Sequence, residues 1–318
     1  MRKIWLGVFA ALLLAAVSVQ AVDFPSRNVT VIVPANPGGP TDLSTRGVID
    51  SLPEGAVPSG VAFVVTNIGG GSGLIAMNKF TTSKKDGYTL GSVNCDLLLN
   101  SVLGKTKITL DDFIPLCFIQ ADPYALVVRS DAPFSTFKEF IDYIKAHPGE
   151  VTIGDTGPGA APAFCTKATA NSLDLKIKTT SYNGSRDCVV ALGNGEIQAT
   201  FTHPSAALGQ LQSGDLKAIA FSSNERYKLM PDVPAIGELY PEECGDMQIL
   251  GWITVCALKG TDAEVVDYLQ KNFIEASKSE KFKERLKGIQ SQEITIFTVE
   301  EMQDFFNRQK AYYEKNLK

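Results

Sequence analysis

Residues 29–46 read VTVIVPANPGGPTDLSTR. The β-branched apolar run Val29–Val33 has strand character and breaks at Pro34. Gly38-Gly39 and Pro40 follow, then Thr41 and Asp42, residue types that open helices. Strand, tight glycine turn and helix start are written in order. Glycine carries no Cβ, so the turn backbone can approach a ligand closely. The first N–H groups of the helix behind it lack intrahelical acceptors and carry partial positive charge. The turn is therefore a ready cradle for a carboxylate or phosphate. The same residues would also serve as an ordinary βα connection.

This alternation runs the length of the chain. Strands are expected at Val29–Val33, Ala62–Thr66, Thr89–Val93, Leu126–Val128, Val151–Ile153, Ile177–Ser181, Ala199–Thr202, Ala218–Phe221 and Ile253–Ala257, with helical stretches between most of them. The fold class is α/β with mainly parallel sheets. Thr136 and Glu139 have capping-box spacing ahead of Phe137, Phe140, Ile141 and Ile144, and Pro148-Gly149 ends that helix. Thr261 or Asp262 opens another, with Val265, Leu269 and Phe273 on one stripe. Thr298 and Glu301 cap a last one, whose Met302, Phe305, Phe306 and Tyr313 face the core. At helical spacing these stripes are packing surfaces rather than a cofactor site.

The N-terminus decides the compartment. Met1-Arg2-Lys3 is basic, Ile4–Val17 is apolar throughout, and Val19-Gln20-Ala21 ends in a small residue. Residues 1–21 read as a cleaved secretory signal peptide, which places the mature protein in the periplasm. The apolar run is short for a membrane span. Removing 21 of 318 residues leaves 297, enough for two lobes. A formal charge of −5 speaks against a nucleic-acid partner. An acidic chain must hold an acidic ligand locally, through loop amides. Cys95, Cys117, Cys165, Cys188, Cys244 and Cys256 could form disulfides in an exported protein. Cys165 with Cys188 is the first candidate pair, and free buried thiols are the alternative. No two cysteines are spaced as C-x-x-C and neither histidine lies close to one, so no metal and no cofactor is expected.

Four further turns share the chemistry of the first. Asn67–Gly73 reads NIGGGSG, Gly154–Ala160 reads GDTGPGA, Tyr182–Asp187 reads YNGSRD and Thr202–Ser205 reads THPS. None is a P-loop, and the dinucleotide fingerprint is absent. All are loops rich in Gly, Ser, Thr and Asn at strand ends, where α/β sheets place ligands. Two lie in the first part of the chain and three in the middle, so a ligand clamped between two lobes would touch both sets. The chain would cross between lobes near Ala121–Tyr124 and again near Glu242–Met247.

An enzyme would need a nucleophile with a base. His203 is the best base by type, but no G-x-S-x-G or H-E-x-x-H is present, and His147 beside Pro148 suits a helix C-terminus. Arg46 and Arg186 are the cations nearest the loops, open either to a carboxylate clamp or to a structural ion pair. Tyr182 would cover a ligand or pack. The functions compatible with these features are a receptor feeding a membrane transporter, a receptor presenting its ligand to a sensor kinase, and an exported α/β hydrolase. The sequence favours the first, and no enzymatic activity is expected.

The order of these motifs resembles the periplasmic receptors of tripartite tricarboxylate transporters, the TctC or Bug family. The family's V-P-F-x-P-G-G-x-T-D turn and A-R helix ending look like Val33–Asp42 with Thr45-Arg46, and its V-E-N-x-x-G-A-G-G like Val65–Gly73. P-D-G-Y-T-L, P-x-x-L-V-V and P-G-x-x-x-x-G-S-x-G-x-G are similar to Lys85–Leu90, Pro123–Val128 and Pro148–Gly159. Y-K-G, G-x-L-R-A-L-A and R…P-x-V-P-T-x-x-E complete the series at Tyr182–Gly184, Gly214–Ala220 and Arg226–Glu238. No single motif is specific, but together they run in order through most of the mature chain.

The resemblance implies a type II periplasmic-binding-protein fold, two α/β lobes with a ligand cleft between them. Lobe 1 would comprise residues 22–123 plus 245–318, and lobe 2 residues 124–244. The ligand would be a small carboxylate: a di- or tricarboxylate, an acidic amino acid or an aromatic acid. The partners would be the membrane permease subunits of the transporter, with the receptor itself a monomer. Gly38, Gly39, Pro40, Thr41 and Asp42, with Gly71, Ser72 and Gly73, would face the ligand from lobe 1. Asp155, Thr156, Gly157, Gly159 and Ala160, with Tyr182, Asn183 and Ser185, would face it from lobe 2, and His203 stands at a strand end beside them. Asp42 is better suited to orienting its loop than to meeting an anion. The chain departs from the family at Ala35 (for Phe, with Asn36 beside it), Asn183 (for Lys), Ala235 (for Thr) and His203. Those changes imply a roomier, less cationic pocket. Capture would work by population shift, the ligand bridging both lobes and so favouring the closed form.

Overall fold

The computed structural model describes residues 24–316. The expected signal peptide, residues 1–21, lies outside the described residues. The strands are β1 (Val29–Val33), β2 (Phe63–Asn67), β3 (Thr89–Asn94), β4 (Phe113–Pro123), β5 (Ala125–Arg129), β6 (Thr152–Asp155), β7 (Lys178–Ser181), β8 (Ala199–Thr202), β9 (Leu216–Phe221) and β10 (Leu250–Leu258). The helices are α1 (Pro40–Asp50), α2 (Leu74–Thr81), α3 (Cys95–Val102), α4 (Phe137–Ala146), α5 (Ala161–Ser172), α6 (Ser185–Gly193), α7 (Leu208–Ser213), α8 (Ile236–Leu239), α9 (Pro241–Cys244), α10 (Ala263–Lys278), α11 (Glu280–Gly288) and α12 (Val299–Asn316).

Two five-stranded sheets result, ordered β2-β1-β3-β10-β4 and β7-β6-β8-β5-β9. Val31 of β1 aligns with Val65 of β2 and Leu90 of β3, both parallel. β10 runs antiparallel to β3 and β4, and β5 runs antiparallel to β8 and β9. The expectation of mainly parallel sheets is therefore corrected: each sheet is mixed, with one reversed strand among four that share a direction. The reversed strands are those by which the chain enters a sheet from the other one. They do not follow a helical crossover from a neighbouring strand, so nothing holds them parallel.

The nine expected strands form, with ends displaced by a few residues. β4 had no counterpart in the pattern. Its sequence, FIPLCFIQADP, is a nearly continuous apolar run interrupted by Pro115. The proline is accommodated because β4 is an edge strand and its register with β10 slips there, Val255 facing Cys117 and Cys256 facing Pro115.

Helix starts follow the capping chemistry. Thr136 Oγ1 accepts from Glu139 N at 3.2 Å, and Glu139 Oε2 accepts from Thr136 N at 3.2 Å. Asp262 caps α10 by accepting from Glu264 N, and Thr298 and Glu301 bond reciprocally at the start of α12. His147 is the C-cap of α4 and stacks on Tyr143. The aromatic stripe of α12 is core: Phe305 and Phe306 pack on Phe118 of β4 and Trp252 of β10, while Tyr313 meets Phe164 of α5. α12 thus ties the first sheet to a helix of the second.

All six cysteines are buried free thiols. The candidate pairing of Cys165 with Cys188 is corrected. Alternate residues of β5 face opposite sides: Leu126 and Val128 join the core that holds Cys165, and Ala125 and Val127 join the core under Val189 and Leu192 of α6. The sheet stands between the two thiols. Cys188 instead donates to the Asp155 carbonyl, and burial pushes its pKa up to about 12.

Candidate functional site

β4 ends at Pro123 and β5 begins at Ala125, so the chain passes from one sheet to the other at Tyr124. Beside this crossing lies a cavity of about 400 Å³, a size typical of small-molecule sites. The turns after β1, β2 and β3 line it from one lobe, and those after β6, β7 and β8 from the other. Gln120, Tyr124 and Gly251–Ile253 form its floor.

In the turn after β1, Gly38 holds a φ of +75° and donates its N–H to Asp42 Oδ2 at 2.8 Å. Asp42 Oδ1 accepts from Arg46 Nε and Asn67 Nδ2, each at 2.9 Å. Asp42 therefore braces the turn from behind, and neither it nor Gly38 lines the cavity. Arg46 is committed to the same ion pair. Gly39, Pro40 and Thr41 do line the cavity. Pro40 occupies the first helical position, so the Thr41 N–H is the first of α1 at the cavity wall and has no intrahelical acceptor.

In the turn after β2, Gly70, Gly71, Ser72 and Gly73 all hold positive φ, at 97°, 59°, 49° and 82°. Glycine tolerates this readily, and Ser72 is carried with its neighbours. Gly71, Ser72 and Gly73 all line the cavity; the Gly73 N–H closes the turn by donating to the Gly70 carbonyl at 3.1 Å, which leaves those of Gly71 and Ser72.

The turn after β6 is only partly as expected. Thr156 and Ala160 line the cavity, whereas Asp155, Gly157 and Gly159 do not. Asp155 is buried and accepts from Gly157 N at 2.8 Å and Ser181 Oγ at 2.7 Å, which shapes the turn from inside. Gly157 supplies a φ of +103°. Gly159 lies behind the wall, where its carbonyl accepts from Asn100 Nδ2 at 2.8 Å, and a Cβ there would sit 2.1 Å from Asn100 Oδ1. The α5 N-terminus behind this turn is also less open than the sequence implies. Asp96 Oδ1 of α3 accepts from Ala161 N at 2.9 Å, and Pro162 has no N–H to offer.

After β7, Tyr182, Asn183, Ser185 and Arg186 line the cavity. Desolvation pushes the Tyr182 hydroxyl above its usual pKa. The arginine ion pairs among the described residues are those of Arg27, Arg46, Arg129, Arg226 and Arg285, so Arg186 is left unpaired. His203 lines the cavity after β8. Its Nδ1 lies 3.2 Å from Ser205 N, an N–H that can only donate, so the ring proton sits on Nε2 and is donated to Asp122 Oδ2 at 2.8 Å. The ring links the cavity to the crossing, where Asp122 also accepts from Tyr227 Oη, Ser291 Oγ and Gln292 N.

The two lobes meet across the cavity mouth. Asn36 Oδ1 lies where a Cβ on Gly69 would be 2.3 Å away, and its Nδ2 is 3.7 Å from the corresponding point on Gly184 of the other lobe. The Arg186 guanidinium packs in the same way on Gly38, at 3.3 Å. The residues of the site that the turn motifs leave out include Asn94, Asp96, Gln120, Tyr124 and Trp252. They come from strand ends and the floor, which tertiary structure alone assembles. Among the described residues no group of three His, Cys, Asp or Glu side chains could hold a metal ion, and no helix is long and apolar enough to cross a membrane.

This two-lobed geometry has counterparts. Residues 56–312 match the model of the "Tripartite tricarboxylate transporter family receptor". The chain belongs to this family of receptors. Protein BugT of Bordetella pertussis is 31% identical to this receptor over 282 residues, 86% of this chain and 83% of BugT. The structure of the periplasmic binding protein BugD superposes with a TM-score of 0.80 at 25% identity, covering 92% of this receptor and 97% of BugD. An R. palustris protein solved with adipate superposes at 0.82 and 26% identity, over 92% and 97% of the two chains. MatC from Rhodopseudomonas palustris, solved with bound malate, shares the fold at 0.82 and 22% identity, over 93% and 100%. The family is one of substrate-binding receptors, not enzymes, and the α/β two-lobe fold is that of periplasmic binding proteins.

Proposed function

We propose that this receptor captures a small carboxylate between its lobes in the periplasm, after loss of residues 1–21, and delivers it to the permease subunits of a tripartite tricarboxylate-type transporter. The observation that carries the reading is the cavity itself. Turns bearing exposed helix N-termini and hydroxyls, after β1, β2 and β7, converge on it from both sheets. The two R. palustris structures hold adipate and malate, both small carboxylates.

The ligand would rest on the amides of Thr41, Gly71 and Ser72, the hydroxyls of Ser72, Thr156 and Ser185, and the amide of Asn183. Gly39, Pro40, Gly73 and Ala160 would give close backbone approach, Tyr182 a covering ring and His203 a wall held in place by Asp122. Arg186 is the one cation on the cavity wall, which suits it to pairing with a carboxylate. Lobe 1 as residues 22–123 plus 245–318 and lobe 2 as 124–244 agree with the division of strands between the sheets. Because both lobes contribute contacts, the ligand binds the closed form better, and the closed form is what the permease would recognise. A thermal-shift screen of the stripped mature protein against mono-, di- and tricarboxylates, amino acids and neutral sugars tests the reading. A carboxylate at about a hundred times its Kd adds roughly 2.7 kcal/mol. A shift from carboxylates alone is the expected result; stabilisation by neutral sugars alone would refute it.

A further inference from the structure

We infer that Asp96 sets the ligand class within the carboxylates: an acid that turns a hydroxyl or ammonium donor, and not a second carboxylate, toward the N-terminus of α3. The inference rests on the carboxylate reading above and deepens it.

Asp96 lines the cavity and stays partly exposed to it. Its position is fixed by the opposite lobe, through the 2.9 Å bond from Ala161 N to Oδ1. It is thus a wall of the closed cleft, not a freely moving surface acid.

No cation faces it. From β3 comes the Asn94 amide, and from α3 itself the Cys95 thiol. Tyr124 at the crossing, Cys165 on α5 and Tyr313 on α12 are the other titratable groups around it, and burial holds all of them, like Cys95, in their neutral forms. Lys105, just beyond α3, is bonded to the Pro158 carbonyl instead. Asp96 is in no ion pair among the described residues. Desolvation accordingly raises its pKa to about 6. The cavity wall therefore carries three charges outside any ion pair, Arg186 and the exposed Asp187 from one lobe and Asp96 from the other, and Asp96 is the acid pinned across the cleft by its bond from Ala161 N. A carboxylate with a donor group answers Arg186 and Asp96. A dicarboxylate answers the first and meets like charge at Asp96.

The test is calorimetric titration at pH 8 of the stripped protein and its Asp96→Asn variant. The probes are butyrate, succinate, and the 2- and 4-hydroxy and 2- and 4-amino derivatives of butyrate. The wild type should bind one or more of the hydroxy or amino acids at least about tenfold tighter than succinate. In Asp96→Asn, succinate should gain about tenfold or more and the amino acids should weaken more than the hydroxy acids. Asparagine keeps an acceptor for Ala161 N; Asp96→Ser is a second route to the same charge removal if the first variant folds poorly. A ranking unchanged in both variants overturns this inference and leaves the carboxylate reading standing. If neither these acids nor any tricarboxylate binds any of the proteins, the carboxylate reading fails, and this inference with it.

Discussion

Replacing Asp122 by alanine should disable the crossing between the lobes. Its side chain is fully buried at the end of β4. It accepts four hydrogen bonds: from His203 Nε2 and Tyr227 Oη at 2.8 Å, from Gln292 N at 3.0 Å, and from Ser291 Oγ. These donors come from the end of β8, the segment after β9 and the segment between α11 and α12, so one carboxylate gathers three distant pieces of chain. Alanine removes the acceptor; Tyr227 Oη can turn to the Gln290 carbonyl at 2.8 Å, which leaves three donors, from His203, Ser291 and Gln292, without a partner. Each unsatisfied donor costs about 1–3 kcal/mol, so even the lower bound gives about 3 kcal/mol. At roughly 2–4 °C per kcal/mol for a protein of this size, Tm should fall by about 10 °C. Asp122→Asn keeps the shape but turns a donor toward donors, and should lose about half as much. Urea unfolding followed by tryptophan fluorescence is the assay. Trp5 lies in the expected signal peptide, so Trp252 reports alone, and it aligns with Ala121 beside the mutated position. A loss below about 1 kcal/mol in the alanine variant would refute the reasoning, because three donors cannot be orphaned so cheaply.

Other outcomes follow from the same contacts. Gly159→Ala would place a methyl 2.1 Å from Asn100 Oδ1 and hold α3 away from the α5 turn; carboxylate affinity should drop about tenfold as the closed form is depopulated, and Asn100→Ala in the same chain should recover part of it by calorimetry. Thr136→Ala removes a capping-box acceptor and should cost about 1 kcal/mol in chemical denaturation without changing affinity. The Asp96 carboxyl has a folded pKa of about 6 against 3.8 unfolded. The native state therefore binds its proton more tightly, and this group's favourable contribution is complete at low pH and lost as pH rises through about 6. The Tm of the wild type should accordingly fall relative to Asp96→Asn between about pH 4 and 6; a difference that stays constant across that window contradicts this assignment.

Much of the fold is legible in the sequence because its signals are local. Thr136 with Glu139, Asp262, and Thr298 with Glu301 carry their capping chemistry within one helical turn, and the structure uses all three. The glycine turns announce themselves too, but not which side of each turn faces the cavity. Asp42 and Asp155 are the clearest cases: an acid beside a glycine turn can meet a ligand or brace the loop, and both brace it. Asp96, Gln120 and Tyr124 escape a motif search because each is unremarkable in its own segment and becomes part of the site only when β3, β4 and β5 converge at the crossing. β4 is hidden for a different reason, as a continuous apolar run gives no period to read and Pro115 argues against a strand. The reversal of β5 and β10 is likewise invisible locally, since it depends on which sheet the chain has just left.

The most direct test of capture between two lobes is a spin-label distance across the cleft. Lys79 on α2 and Lys178 on β7 are exposed and lie in different lobes, and the native cysteines are all buried, so Lys79→Cys and Lys178→Cys can be labelled selectively. Distances would be recorded on stripped protein and again with the carboxylate that stabilises it most. Capture between the lobes predicts a broad distribution that narrows and moves to its short end when the ligand is added. A distribution unchanged at saturating carboxylate would contradict it.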